Sequence, residues 1–168
     1  GTYNTSIGGW ANYQLTTGTQ NVAIGGYCLY TQTTSSYNTA LGYAAGYQLT
    51  SGHSNTLLGN QVAYKLTTAD HSVAIGYKAL YGDGGSVQGD KNIAIGSQSA
   101  YKMHTGTYNI GIGPNSLYNT TTASNLIAIG QAAGYSLTNQ SDVLFIGYNT
   151  GYHTVSYTHL RAHETLRY

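Results

Sequence analysis

Charge is the scarcest property of this chain. Only 7% of its 168 residues are Asp, Glu, Lys or Arg, where an ordinary domain carries about 25%. A surface so poor in cations lacks the clustered Lys and Arg that nucleic acid demands, so that partner class is set aside. Asn, Gln, Ser, Thr and tyrosine hydroxyls must wet the surface instead, which suits neutral partners such as glycans. Cysteine is reduced to Cys28, so no internal disulfide forms and the redox compartment stays open. Proline occurs once, as Pro114 directly after Gly113, in a turn that can spare a backbone donor. No apolar run is long enough to insert into a membrane as a helix. The sequence starts without Met and in mid-repeat, from which we expect a fragment of a longer protein.

What is plentiful is Gly, with 23 residues, and Tyr, with 18. Both are ordered by a repeat. The pentad Asn21-Val22-Ala23-Ile24-Gly25 recurs nine times, closing on Gly8, Gly25, Gly42, Gly59, Gly76, Gly96, Gly113, Gly130 and Gly147. The period is about 17 residues with one insertion of about three. Before each closing glycine stands an aliphatic residue, among them Ile24, Ile75 and Ile129, and two places earlier a β-branched residue or Leu, such as Val22, Val73 and Ile127. Between them lies a mostly small column that includes Ala23, Ala40, Ala74 and Ala128. Residues two apart in a strand share a face. This pattern predicts a five-residue strand whose aliphatic columns form an inward stripe and whose small column looks outward, open to another chain.

Five residues after every closing glycine is a tyrosine: Tyr13, Tyr30, Tyr47, Tyr64, Tyr81, Tyr101, Tyr118, Tyr135 and Tyr152. Two residues before each is a small one, such as Ala11, Cys28 or Ala45. The small-x-Tyr segment reads as a return strand on which both side chains share a face. Rings of that size belong at an edge or subunit interface, packed on one side with the hydroxyl wet. Cys28, in the small column, reads as a buried substitute for alanine, not a nucleophile. The polar column that opens the pentad (Asn4, Asn21, Asn38, Asn55, Ser72, Asn92, Asn109) suits either an amide ladder between stacked coils or plain turn asparagine. A Thr-rich corner follows each tyrosine, and the insertion Gly82 to Asp90 reads as a surface loop. That loop lacks the strict glycine and aspartate order of calcium-binding nonapeptides.

From Val155 the character changes. Arg161, Arg167 and the only glutamate, Glu164, all lie beyond Thr154. The run Val155 to Tyr168 resembles one reading frame of a transposase-type sequencing adapter, so we treat 155–168 as a non-native tail and 1–154 as the repeat array. Without the tail, Lys65, Lys78, Lys91 and Lys102 balance Asp70, Asp83, Asp90 and Asp142.

About 17 residues at roughly 3.3 Å each is too short a path for a wide triangular coil. The expected fold is all-β, a parallel β-solenoid of about nine flattened coils, one side chain thick. Asn21-Val22-Ala23-Ile24-Gly25, Asn38-Thr39-Ala40-Leu41-Gly42, Ser72-Val73-Ala74-Ile75-Gly76 and Asn92-Ile93-Ala94-Ile95-Gly96 resemble the head repeats of YadA-like trimeric autotransporter adhesins. They are still more similar to Tyr-, Asn- and Thr-rich repeats of phage tail fibres. The resemblance implies a left-handed β-roll, a homotrimer, an extracellular place on a virion or bacterial surface, and attachment to a host cell-surface glycan or protein. Ile24, Gly25, Tyr30, Ile75, Gly76, Tyr81, Ile129, Gly130 and Tyr135 mark its structural columns. The period here is longer than in the adhesin heads.

The expected role is therefore a structural and host-surface-binding segment of a fibrous adhesin or tail fibre, with repeated shallow sites acting through avidity. Tyr3, Trp10, Tyr27, Tyr37, Tyr43, Tyr77, Tyr108 and Tyr148 are the binding candidates, since exposed rings stack on sugar faces. An ice-binding solenoid is the alternative from another class, supported by the pairs Thr16-Thr17, Thr33-Thr34, Thr67-Thr68 and Thr121-Thr122. A spacer without ligand is the third reading. No catalytic residue, metal site or cofactor is expected. His53, Asp70 and Asp90 occupy equivalent places in successive coils, as do His71 and Lys91, yet no nucleophile and base recur together.

Overall fold

The computed structural model describes residues 1–152, so the expectation about 155–168 lies outside the described residues. Among those residues nine three-residue strands form one parallel sheet in sequence order. They are β1 (Thr5–Ile7), β2 (Val22–Ile24), β3 (Thr39–Leu41), β4 (Thr56–Leu58), β5 (Val73–Ile75), β6 (Ile93–Ile95), β7 (Ile110–Ile112), β8 (Ile127–Ile129) and β9 (Leu144–Ile146). Equivalent repeat positions pair throughout, for instance Ala23 with Ala40 and Ala74 with Ala94. The protein is a β-solenoid with coils of about 17 residues.

The closing glycine is one of the places where successive coils approach closely. Gly25 has φ of +132°, and a Cβ there would stand 2.4 Å from the Gly42 carbonyl oxygen. No other residue fits both the conformation and the gap.

The face expectation is reversed. The small column is buried, with Ala23, Ala40, Leu57, Ala74, Ala94 and Ala128 at 0% exposure. The aliphatic columns on either side are half-buried or open, and Leu41, Ile127 and Ile129 count as exposed. The interior is already occupied by leucines from the rest of the coil: Leu29, Leu49, Leu66, Leu80, Leu117 and Leu137 are all buried. Only a methyl from the strand fits beneath them. Where the strand does bring a large side chain, the opposite wall thins. A Cβ at Gly46 would lie 2.8 Å from Leu57 Cδ1, and one at Gly134 would lie 3.3 Å from Phe145 Cδ2.

The return path also departs from expectation, since it is not a strand. Left-handed residues alternate with ordinary ones, as at Tyr27 (φ 57°) and Leu29 (φ 49°), or Gln61 (φ 53°) and Ala63 (φ 48°). Its backbone still pairs coil to coil: the Leu29 N–H donates to Ala45 O at 2.9 Å and the Ala63 N–H to Ala79 O at 2.8 Å. These bonds offset the cost of the left-handed residues. The alternation sends the small column inward while the tyrosine ring stays at the edge, so the two do not share a face. Each strand is likewise three residues long, not five, although the carbonyl of the opening Asn and the N–H of the closing Gly still bond to neighbouring coils, as in Val22 N–H to Asn38 O and Gly42 N–H to Ile24 O.

The insertion is partly a loop. Gly84 and Ser86 are exposed, but Val87 is fully buried and bridges to Leu66, refilling the leucine row.

Candidate functional site

Three ladders run along the solenoid and decide which side chains are free for other work. The first is the asparagine row. Asn38 Nδ2 donates to Asn21 Oδ1 at 3.3 Å and to Gly52 O at 2.9 Å, while Asn38 Oδ1 accepts the Asn55 N–H at 2.9 Å. The amide-ladder alternative is thus the one realised, continued at Ser72 by a hydroxyl that accepts the Asn92 N–H. Among the described residues every buried side-chain nitrogen and oxygen has a hydrogen-bond partner.

The second ladder absorbs the titratable row. The Ser36 N–H donates to His53 Nδ1 at 3.0 Å, the His53 N–H to Asp70 Oδ1 at 2.6 Å, and the Asp70 N–H to Asp90 Oδ1 at 2.9 Å. Thr107 and Ser124 continue it, the Thr107 N–H donating to Ser124 Oγ. These side chains therefore act as acceptors for the backbone of the preceding coil. Lys91, in the adjoining column, donates to the Tyr108 hydroxyl at 2.9 Å, which holds its amine above the usual lysine range. Among the described residues no three His, Cys, Asp or Glu side chains could share a metal. Cys28 is buried, its thiol directed at Ala40 O, and burial pushes it up to about 12.

The corner threonines divide into an engaged row and an exposed one, the latter holding Thr17, Thr34, Thr68 and Thr122. The hydroxyls of Thr16, Thr50 and Thr121 donate to carbonyls of Thr33, Thr67 and Thr138 in the next coil, at 2.9, 3.0 and 3.2 Å.

The third ladder is aromatic. All nine column tyrosines stack with centroid separations from 4.8 to 5.5 Å, the widest step being Tyr64 to Tyr81, next to the insertion. Burial holds the phenols of Tyr30, Tyr64, Tyr101 and Tyr118 above the usual tyrosine range, with neighbouring phenols adding to the effect at Tyr30 and Tyr64.

The eight exposed aromatic candidates divide between two sides of the sheet. Tyr3, Tyr37 and Tyr108 stand at the left-handed corner before the strand, spaced along the solenoid. Tyr43, Tyr77 and Tyr148 follow the closing glycine, and Trp10 and Tyr27 come one residue later. On this second side rings meet. Trp10 packs edge-on against Tyr13 at 4.7 Å, and Tyr27 lies 5.7 Å from Tyr30, 6.0 Å from Tyr43 and 6.4 Å from Tyr47. Tyr77 instead carries the Lys78 amine 5.3 Å from its centroid. Tyr3, Tyr37, Tyr108 and Tyr148 are not brought into this cluster.

Beside the cluster lies a notch of about 250 Å³ lined by Tyr27, Tyr43, Ala44, Tyr47, Gln61 and Tyr64. Sequence reasoning missed Ala44, Tyr47, Gln61 and Tyr64 as site residues. A partial signal was there: the column that reads Trp10, Tyr27, Gln61, Lys78, Gln98 drops to a methyl at Ala44, as it does again at Ala132, and of these two only Ala44 has tyrosines on both sides in the adjoining columns. Comparison with known proteins adds no relative, since no family model, curated protein or solved structure matches the chain.

Proposed function

We propose that this chain is a structural and host-surface-binding segment of a trimeric fibrous adhesin or tail fibre. The observation that carries the reading is the aliphatic face. Ile24, Leu41, Ile75, Ile95 and Ile129 belong to one unbroken aliphatic row along the outside of the sheet, half-buried or open in the single chain, beside a second row in which Val22, Val73 and Ile93 share places with Thr5, Thr39 and Thr56. A continuous apolar strip of that length is what an assembly buries. Three copies packed strip to strip would leave the tyrosine ladder and the exposed rings facing outward. The shallow aromatic surface would then be presented three times over, so weak contacts to a neutral glycan or protein add by avidity.

The interface proposed here is made by the aliphatic columns, in place of the small and tyrosine columns expected earlier. The hydroxyls of Thr16, Thr50 and Thr121 are taken by backbone carbonyls, whereas the exposed second threonines of the corners, Thr17, Thr34, Thr68 and Thr122, keep the ice-binding reading as an alternative.

Sedimentation equilibrium of the chain, alone and fused to a trimerising tag, tests the assembly. A mass of three chains, or folding that needs the tag, is expected; a stable folded monomer would overturn the fibre reading. Thermal hysteresis in the purified protein would favour the ice-binding alternative.

A further inference from the structure

The notch at Ala44 has features that the rest of the aromatic surface lacks. Its walls come from three successive coils, with Tyr27 before, Tyr43 and Tyr47 beside, and Gln61 and Tyr64 after. It is a shallow notch, open to solvent on one side, with a volume of about 250 Å³, room for one hexopyranose ring. No lining residue carries charge at neutral pH, and the polar groups present are four phenols and one amide. Tyr27 meets Tyr43 edge-on at a 76° interplanar angle and lies tilted at 51° to Tyr47, while Tyr47 and Tyr64, stacked on both faces, offer the notch their edges and hydroxyls. Aromatic walls with a few convergent neutral hydrogen-bonding groups are the makings of a small-molecule site.

We infer that this notch binds one neutral hexopyranose, held by C–H contact to the Tyr27 and Tyr43 rings and by hydrogen bonds from its rim hydroxyls to the phenols and the Gln61 amide. A pyranose ring presents apolar axial hydrogens on its face, which can lie against the Tyr27 or Tyr43 ring, while the edges of Tyr47 and Tyr64 bring their hydroxyls to its rim. A charged sugar would enter without a counter-charge and lose hydration uncompensated. The inference deepens the surface-binding reading above and rests on it for its biological setting, but not for its chemistry.

The test is titration of the full chain with methyl β-D-glucopyranoside, followed by saturation-transfer NMR and tyrosine fluorescence. A dissociation constant near the millimolar range is expected for so small a ligand. Ala44→Gln fills the notch with a side chain that Gln61 and Gln98 already carry in the same column at φ of 53° and 56°, so the coil tolerates it. It should weaken binding at least about tenfold, whereas Ala132→Gln, in the same column far along the solenoid, should leave it unchanged. Tyr43→Ser, a residue that Ser97 already supplies in that column, removes one wall and should also weaken binding. Absence of any transfer to the glucoside, or transfer undiminished in both Ala44→Gln and Tyr43→Ser, would overturn the inference. Host-cell binding by the unaltered chain keeps the two proposals apart. Sugar binding without cell binding would sink only the surface-binding reading, and cell binding without sugar binding would sink only the notch.

Discussion

Leu57 reaches across the solenoid into the space that Gly46 leaves empty: a Cβ on Gly46 would stand 2.8 Å from Leu57 Cδ1 and equally close to Leu29 Cδ2. Gly46→Ala should therefore cost about 1–3 kcal/mol through overpacking. The left-handed φ of 60° is not the main obstacle, because Ala63 and Ala100 hold φ of 48° and 51° at the same repeat position. Adding Leu57→Ala to Gly46→Ala should recover part of the loss, although Leu57→Ala alone destabilises. Urea unfolding of the four proteins in the cycle measures this coupling, and strict additivity would refute the pairing.

The asparagine ladder sets a second expectation. Asn38→Ala strips both donors and both acceptor roles from a buried position, leaving the Asn55 N–H and Gly52 O without partners, at about 1–3 kcal/mol per orphaned group. Asn38→Ser should cost less, since Ser72 already serves one rung of the row with a hydroxyl. Equal losses in chemical denaturation would show that ladder continuity contributes little.

Neighbouring residues of β5 distinguish inside from outside. Ala74 is buried and Ile75 is only half-buried. Ala74→Asp should unfold the chain, through an unpaired buried carboxylate costing about 3 kcal/mol or more. Ile75→Asp should leave the melting of the single chain nearly unchanged and abolish the proposed assembly. Melting curves paired with sedimentation read both outcomes; unfolding by Ile75→Asp and tolerance of Ala74→Asp would restore the inverse orientation.

The tyrosine ladder should make the fold sensitive to alkali. Burial raises the phenol pKa of Tyr30, Tyr64, Tyr101 and Tyr118 above the unfolded value of about 10. The folded chain thus holds those protons more tightly than the unfolded one. The resulting stabilisation is fully present below about pH 10 and is lost as the pH climbs through the raised values. Thermal midpoints should fall over that window in step with phenolate absorbance. Midpoints that stay level there would indicate that the stacked rings ionise as freely as in the unfolded chain.

Cys28 should be silent toward thiol reagents. Burial keeps its sulfur away from solvent and its thiol protonated, with the pKa pushed up to about 12. Labelling should proceed only at the rate of unfolding, and prompt labelling of the folded chain would contradict the placement.

Positions that recur at fixed spacing could be read directly from the sequence. The closing glycines, the asparagine row and the tyrosine row each repeat one physical demand, and each was found where the period put it. Which face is buried could not be read, because alternation says that Val22 and Ile24 share a side opposite Ala23 without saying which side is in. The leucines that decide it, such as Leu29 and Leu49, sit in the return path and the corner, where no strand pattern points to them. The left-handed return was equally hidden, since Leu29 and Leu80 advertise nothing about φ. The notch escaped because it is made by a side chain that is missing, at Ala44.

The fit of Gly46 under Leu57, and of Gly134 under Phe145, ties those coils to their immediate neighbours by volume, while the glycine and tyrosine rows treat every coil alike. Unequal recombination between gene repeats can therefore lengthen or shorten such a protein in whole coils without disturbing its rows. It succeeds only at junctions where bulky and slight residues still alternate across the interior. Length is heritable in steps, and the sizes of a few core side chains decide where a step can be taken.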